Sequence, residues 1–331
     1  MVKKQNTYIV PGVSDPMRLR DAIHFFISAR VHTVTHKTLR NNELYLRSLT
    51  DCLDNPFVNE ISLHDLRRWR STLFEKQERY LAHNRRAPVR GGYSIYTIKG
   101  MVEAVRQLFN WLNREGYLET NVARKLELPT LPAGPPKAIT PRDLEKLIET
   151  ARHSATVTLS ARNVALILFL RDTGCRLCGV AGLRLEQLDT PNCRALVWEK
   201  GRGGKSKARA VFFTKESQAA LNQWLAARPA ALPLPGETLD DHVFVAERYP
   251  FKPLTEEAIY CVFRALKKRA GITGRVNPHS LRHARAKTML EHGAPLGVVS
   301  RVLGHSDIRV TDAYYGVYAA SELQEQYNKY A

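Results

Sequence analysis

Apolar positions recur every three to four residues along most of the chain, a spacing that predicts a mainly helical protein. The clearest case runs from about Ser94 to Glu115. There Ile98, Val102, Val105, Leu108, Phe109 and Leu112 share one helical face, and Gly116 closes the helix. Three helices are expected before it. One covers about Met17 to Ala29, and a second runs from Thr35 through Leu46 and Leu49 to about Leu53. The third opens at Ser62, where Asp65 stands in for the Glu of a capping box. Farther on, helices are expected over 142–151, 161–172, 215–227, 254–270, 280–292, 295–303 and 307–320. Strand-like segments interrupt this pattern at Ala195–Glu199 and Ala208–Phe213. They flank the turn Gly201-Arg-Gly-Gly204, so a hairpin is predicted. The fold class expected is therefore mainly α with a small antiparallel β-sheet, the sheet belonging to an α+β second domain.

A break separates the all-helical part from the mixed part. Leu128–Lys137 holds four prolines and a glycine, which cannot continue a helix and read as an extended linker. A helix start follows, with Thr140 as N-cap, Pro141 in the first position and acids in the first turn. The expected domains are a helical bundle over 1–127, a linker over 128–137 and a mixed domain over 138–331. Within the bundle, Arg79–Gly92 forms a basic connection between the third and fourth helices.

Charge narrows the partner. The 331 residues carry a formal net charge of +18. Residues 1–137 have 22 basic and 13 acidic side chains, and the rest have 28 and 19, so the excess is nine in each of the two parts. A polyanion touched by both domains accounts for that balance, and nucleic acid is the default candidate. A membrane partner is not expected: no apolar run approaches the roughly 18–20 residues of a span, and no basic amphipathic helix with a Trp/Leu face stands out. The N-terminus leads into no signal-like apolar segment. Five cysteines, an odd number in a long chain, argue against a disulfide framework and for a reducing, cytoplasmic setting, which a nucleic-acid partner would make nucleoid-associated.

Candidate chemistry lies in three short segments of the second domain. Asn277-Pro-His279-Ser-Leu-Arg282 puts His279 and Arg282 on the same face of a helix that begins after Pro278. An imidazole beside a guanidinium suits a phosphate, because one exchanges protons and the other offers a planar fork to the oxygens. Leu303-Gly304-His305 breaks a helix at Gly304, and Tyr314 follows His305 by nine residues. Upstream, Thr173-Gly-Cys-Arg176 places an arginine just after a glycine turn that ends an apolar helix. Taken singly, each of these is compatible with an ordinary helix corner or surface pair.

Their order is what distinguishes them. Thr-Gly-x-Arg, a lysine-bearing hairpin, His-x-x-Arg, Gly-His and then Tyr nine residues on resembles the tyrosine site-specific recombinases of the phage integrase family. The resemblance covers the whole chain. It implies that Tyr314 attacks a DNA phosphodiester to form a 3′-phosphotyrosyl bond, with Tyr315 the competitor for that role. Arg176 and Arg282 would hold the non-bridging oxygens, and His279 would serve in proton transfer. His305 would donate a hydrogen bond to the phosphate. Lys200 would protonate the leaving 5′-oxygen, with Lys205 and Lys207 as alternatives on the same longer hairpin. No cofactor and no metal are implied. The implied partner is double-stranded DNA at a specific recombination site, bound as a homo-oligomer with a dimer per site and a tetramer in the synapse, with strand exchange through a Holliday junction.

One position departs from the family pattern. Related chains usually carry Glu or Asp three residues after the first arginine, where this chain has Gly179. That favours, as an alternative, a non-catalytic DNA-binding protein on the same fold; a type IB topoisomerase-like relaxase is another. Cys175 and Cys178 form a C-x-x-C without a second pair or a nearby histidine to complete a zinc set. His283, adjacent to Arg282, points off the His279/Arg282 face and is expected to be structural.

Overall fold

The computed structural model describes residues 16–79, 89–132, 138–200, 206–228 and 241–304. The chain divides into two compact units, Met1–Ala133 and Gly134–Ala331.

The first unit is built from α1 (Leu19–Ala29), α2 (His36–Leu53), α3 (Leu63–Glu75) and α4 (Ile95–Arg114), with a two-residue antiparallel pairing of β1 (Glu78–Arg79) and β2 (Val89–Arg90) between α3 and α4. Hydroxyls set the starts of three helices. Thr35 accepts from the Thr38 amide and Ser94 from the Thr97 amide. Ser62 and Asp65 form the reciprocal box expected from their spacing. Left-handed Gly116, with φ of 84°, follows the end of α4. The periodic face of α4 is buried from Ile98 to Leu112 and packs with Phe26, Leu46, Leu49, Leu66 and Trp69.

The second unit comprises α5 (Pro141–Arg152), α6 (Val157–Thr173), α7 (Leu177–Ala181), β3 (Leu188–Asp189), β4 (Arg194–Lys200), β5 (Ser206–Phe212), α8 (Lys215–Ala227), α9 (Glu256–Arg269), α10 (Pro278–Glu291) and α11 (Leu296–Leu303). The strands form one antiparallel sheet in the order β3-β4-β5, with Val197 opposite Arg209 and Glu199 opposite Lys207. The short α7 and β3 are additions to the elements expected from periodicity. Helix α6 is the centre of this unit. Nearly all of its side chains from Arg162 to Thr173 are buried, and α5, α8 and α10 pack around it. A separate small apolar cluster of Ala286, Leu290, Val299 and Leu303 joins α10 to α11.

The turn Gly201–Gly204, most of the basic connection between β1 and β2, and the helix expected over 307–320 lie outside the described residues. Among the described residues no helix is long and apolar enough to cross a membrane.

Candidate active site

Two left-handed glycines end the helices on which the site is built. Gly174 caps α6 with φ of 53°, and Gly304 caps α11 with φ of 68°. The turn after α6 is held down by Asp172. Its buried carboxylate accepts from Arg171 Nε at 2.7 Å, from the Thr214 amide at 2.9 Å and hydroxyl at 2.6 Å, and from the Ser217 hydroxyl. These bonds tie the end of α6 to the start of α8. Arg176 then leaves the turn as the N-cap of α7. Helix α10 starts at Asn277, whose side chain caps the Ser280 amide at 2.9 Å, with Pro278 in the first position.

Three guanidinium groups converge on the end of α11. Arg209 Nη1 donates to the Val302 carbonyl. Arg282 Nη2 donates to the Leu303 carbonyl at 2.6 Å and Arg176 Nη1 to the Gly304 carbonyl at 3.2 Å. The last carbonyls of a helix lack intrahelical partners and carry its negative end, so three successive ones are a natural seat for cations. The other Nη of Arg282 donates to the Gly174 carbonyl at 2.6 Å, which links the ends of α6 and α11 through one side chain. Gly304 also makes room: a Cβ there would lie 2.6 Å from Arg209 Nε.

Glu199 on β4 holds two of the three arginines. It accepts from the Arg176 amide at 2.5 Å, from Arg176 Nη1 at 2.8 Å and from Arg209 Nη2 at 2.9 Å. The carboxylate side chain is 4% exposed, against 32% for Arg176 and 13% for Arg209. Arg176 thus keeps Nε and Nη2 without a partner among the described residues while its head remains partly open. That is the geometry of a fork ready to receive an oxyanion.

Burial alone would raise the Glu199 carboxyl, but hydrogen bonds from Arg209 and from the Arg176 amide, with the charges of both guanidinium groups, hold it below the usual carboxylate range. Burial, with the positive charge of Arg176, pushes Arg282 down to about 10, and it stays protonated at neutral pH. His279 lies below the ordinary imidazole value, first through desolvation and then through Arg282, Arg275 and Arg176. It is therefore neutral at pH 7 and able to accept a proton. Neighbouring His283 is pushed down to about 4 by desolvation and by the charges of His279 and Arg282. Burial pushes the Cys175 thiol up to about 12, so it is no thiolate at neutral pH. Both cysteines of the C-x-x-C are free, and no group of three or more potential metal-ligating side chains occurs among the described residues.

The structure brings together Arg176 and Arg282, and His279 feels the charge of both. Lys200 ends β4, paired with Ser206. His305 and Tyr314 lie outside the described residues. Sequence reasoning missed Glu199 and Arg209. A signal was present: strand alternation puts both on the inward side with Val197 and Val211, where a charge needs a partner.

Comparison with known proteins gives the chain its relatives. The profile of the phage integrase family matches residues 137–321. The chain is 30% identical over 233 residues to a tyrosine recombinase XerC of Oceanobacillus iheyensis, covering 70% of this chain and 73% of that one. It is 33% identical over 230 residues to the XerC of Pseudomonas syringae pv. syringae, covering 67% and 70%. Its fold is similar to that of the Tn1549 transposon integrase in complex with a circular intermediate DNA, at a TM-score of 0.70 and 20% identity over 94% of this chain and 99% of that one. A family profile that spans more than half of the chain, with relatives 30% or more identical over two thirds of it, leaves one assignment: the chain belongs to the phage integrase family of tyrosine recombinases.

Proposed function

We propose that this protein recombines double-stranded DNA at a specific site by two transesterifications through a 3′-phosphotyrosyl intermediate. The observation that carries this reading is the seating of Arg176 and Arg282 on the successive carbonyls of Gly304 and Leu303, with Arg176 still holding two donors for a phosphate. Preorganised cations stabilise the charge that grows on the non-bridging oxygens as the phosphorus becomes pentacoordinate, and removing one such donor costs about 10²–10³ in rate.

The remaining roles follow from chemistry and chain order. Neutral His279 takes part in moving the proton of the attacking hydroxyl. His305, which directly follows the Gly304 seat in sequence, donates to the phosphate. Tyr314 forms the covalent bond, whose retained energy lets a second 5′-hydroxyl attack without a nucleotide cofactor. Lys200, at the end of the strand that carries Glu199, protonates the leaving 5′-oxygen. The basic first unit grips the duplex through phosphates, and the working assembly is a dimer per site and a tetramer in the synapse. Integration, excision and resolution all use these steps.

The test is a nicked substrate that releases a short fragment on cleavage and traps the adduct. Wild type should form a protease-sensitive covalent complex, and Tyr314→Phe should bind the DNA equally and form none. An adduct that survives in Tyr314→Phe and vanishes in Tyr315→Phe would move the nucleophile. Absence of any wild-type adduct on the cognate site would favour a non-catalytic DNA-binding role. Lys200→Ala should cleave ordinary DNA poorly yet recover when the 5′-bridging oxygen is sulfur, a leaving group that needs no proton. Recovery by Lys205→Ala instead would reassign the acid.

A further inference from the structure

Gly179 is not explained by its backbone. It lies within α7, and its φ is not in the left-handed region that favours glycine. What a side chain there would meet is informative. A Cβ would come within 3.1 Å of Glu199 Cγ, 3.2 Å of Val197 Cβ and 3.5 Å of Glu199 Oε1. The space a side chain at 179 would use is filled by the Glu199 carboxylate, which reaches over from β4 to grip both the amide and the guanidinium of Arg176.

We propose that Glu199 is the positioning residue of this active site, fixing Arg176 for the scissile phosphate from the strand, and that Gly179 is the clearance that lets it do so. The proposal rests on the reading of Arg176 as a phosphate ligand. Three features carry it. The carboxylate is nearly fully buried, so its charge is spent on the two arginines and not on solvent. It engages Arg176 through the amide and one terminal nitrogen, which fixes the direction of the side chain and leaves Nε and Nη2 uncommitted among the described residues. Its second partner, Arg209, is anchored on the Val302 carbonyl, so the same carboxylate couples the sheet to the end of α11 where Arg282 is also seated. Glu199 immediately precedes Lys200, so the strand end that aims the arginine is also the one that carries the proposed acid. A glycine at 179 therefore does not signal a lost catalytic site, because the carboxylate arrives from another element.

The experiment measures single-turnover adduct formation on two substrates, an ordinary scissile phosphodiester and one with a neutral methylphosphonate at that position, which needs no guanidinium to neutralise it. Glu199→Gln, Arg176→Ala, Gly179→Glu and the relocated pair Gly179→Glu with Glu199→Gly are compared, with DNA affinity and melting temperature recorded for each. Misplacing one reacting partner by about an ångström costs about 10²-fold. Glu199→Gln should thus lose about 10²-fold on the phosphodiester with DNA affinity unchanged, and most of that loss should vanish on the methylphosphonate, as it should for Arg176→Ala. Gly179→Glu alone should be defective, and the relocated pair should recover to within about tenfold of wild type. The proposal is overturned if Glu199→Gln cleaves normally while Arg176→Ala does not, or if its defect is equal on both substrates, which marks a merely structural role. Should Glu199→Gln fail to fold, the relocated pair decides: a folded pair defective to the same degree on both substrates overturns the proposal. A normal rate for Arg176→Ala would instead remove the underlying reading of the site.

Discussion

Asn42 and Thr50 are the buried polar side chains among the described residues of the first unit, whereas the second buries Arg162, Asp172, Glu199 and Arg282, each with hydrogen-bonded partners. The two units carry similar basic excesses, eight over 1–133 and ten over 134–331, so the contrast lies more in where charge is placed than in how much there is. In the first, amphipathic helices put charge outward and the core is apolar. In the second, charges are drawn inward although desolvation opposes it, and they persist because Asp172 and Glu199 are bonded to guanidinium groups, Arg282 to helix-end carbonyls, and Arg162 to the Asn163 amide oxygen and the Val245 carbonyl. A unit proposed only to hold DNA through its phosphates needs nothing more than the first pattern. A unit that must present charges in fixed directions needs the second.

The largest effect that separates the two units is on binding. If about 6–10 phosphates are neutralised, affinity should fall by roughly 10³–10⁵ between 50 and 200 mM salt. The slope of log K against log salt should be steeper for the whole chain than for residues 138–331, and equal slopes would remove the first unit from the DNA contact. Stability should divide the units next. Asp172→Ala leaves the Thr214 amide and the Thr214 and Ser217 hydroxyls without their acceptor, while Arg171 keeps Glu216, and should cost about 3 kcal/mol. Asn42→Leu, which deletes a buried amide nitrogen with no partner among the described residues, should change stability by less than about 1 kcal/mol. Denaturant titration of both variants checks this, and comparable losses would break the contrast.

Much of the fold was legible because local rules set it. Thr35, Ser62, Ser94 and Thr140 all cap the helices expected from them, and the glycines Gly174 and Gly304 end helices as their positions suggest. The four helices of the first unit, where periodicity and burial coincide, needed nothing else, whereas the two-residue β1/β2 pairing falls where only a basic connection was expected. In α6 the pattern blurs because the helix is buried on nearly every side, and its start at Val157 lies ahead of the expected 161. The short α7 and β3 have too few residues to show a period. Arg176, His279 and Arg282 were legible through motif order. The Glu199–Arg209 pair was not, since its meaning lies in contacts with residues 23 and 93 positions away in the chain.

A more gradual effect concerns pH. His283 in the folded chain titrates near 4, below the usual 6.5. The unfolded chain therefore takes up the proton first, and this contribution to stability is complete above pH 6.5 and lost as pH falls toward 4. The loss should be on the order of 1 kcal/mol per pH unit. His283→Gln should flatten the dependence of melting temperature on pH over that window, and an unchanged dependence would assign the acid sensitivity elsewhere.

In the proposed reaction, guanidinium groups seated on the end of α11 do the electrostatic work on the scissile phosphate. Its most direct test is the single-turnover rate of covalent adduct formation by the wild-type chain in excess chelator. Arginine-borne charge predicts the same rate with and without chelator, at saturating DNA. Loss of the adduct in chelator, restored by adding back a divalent cation, would contradict it.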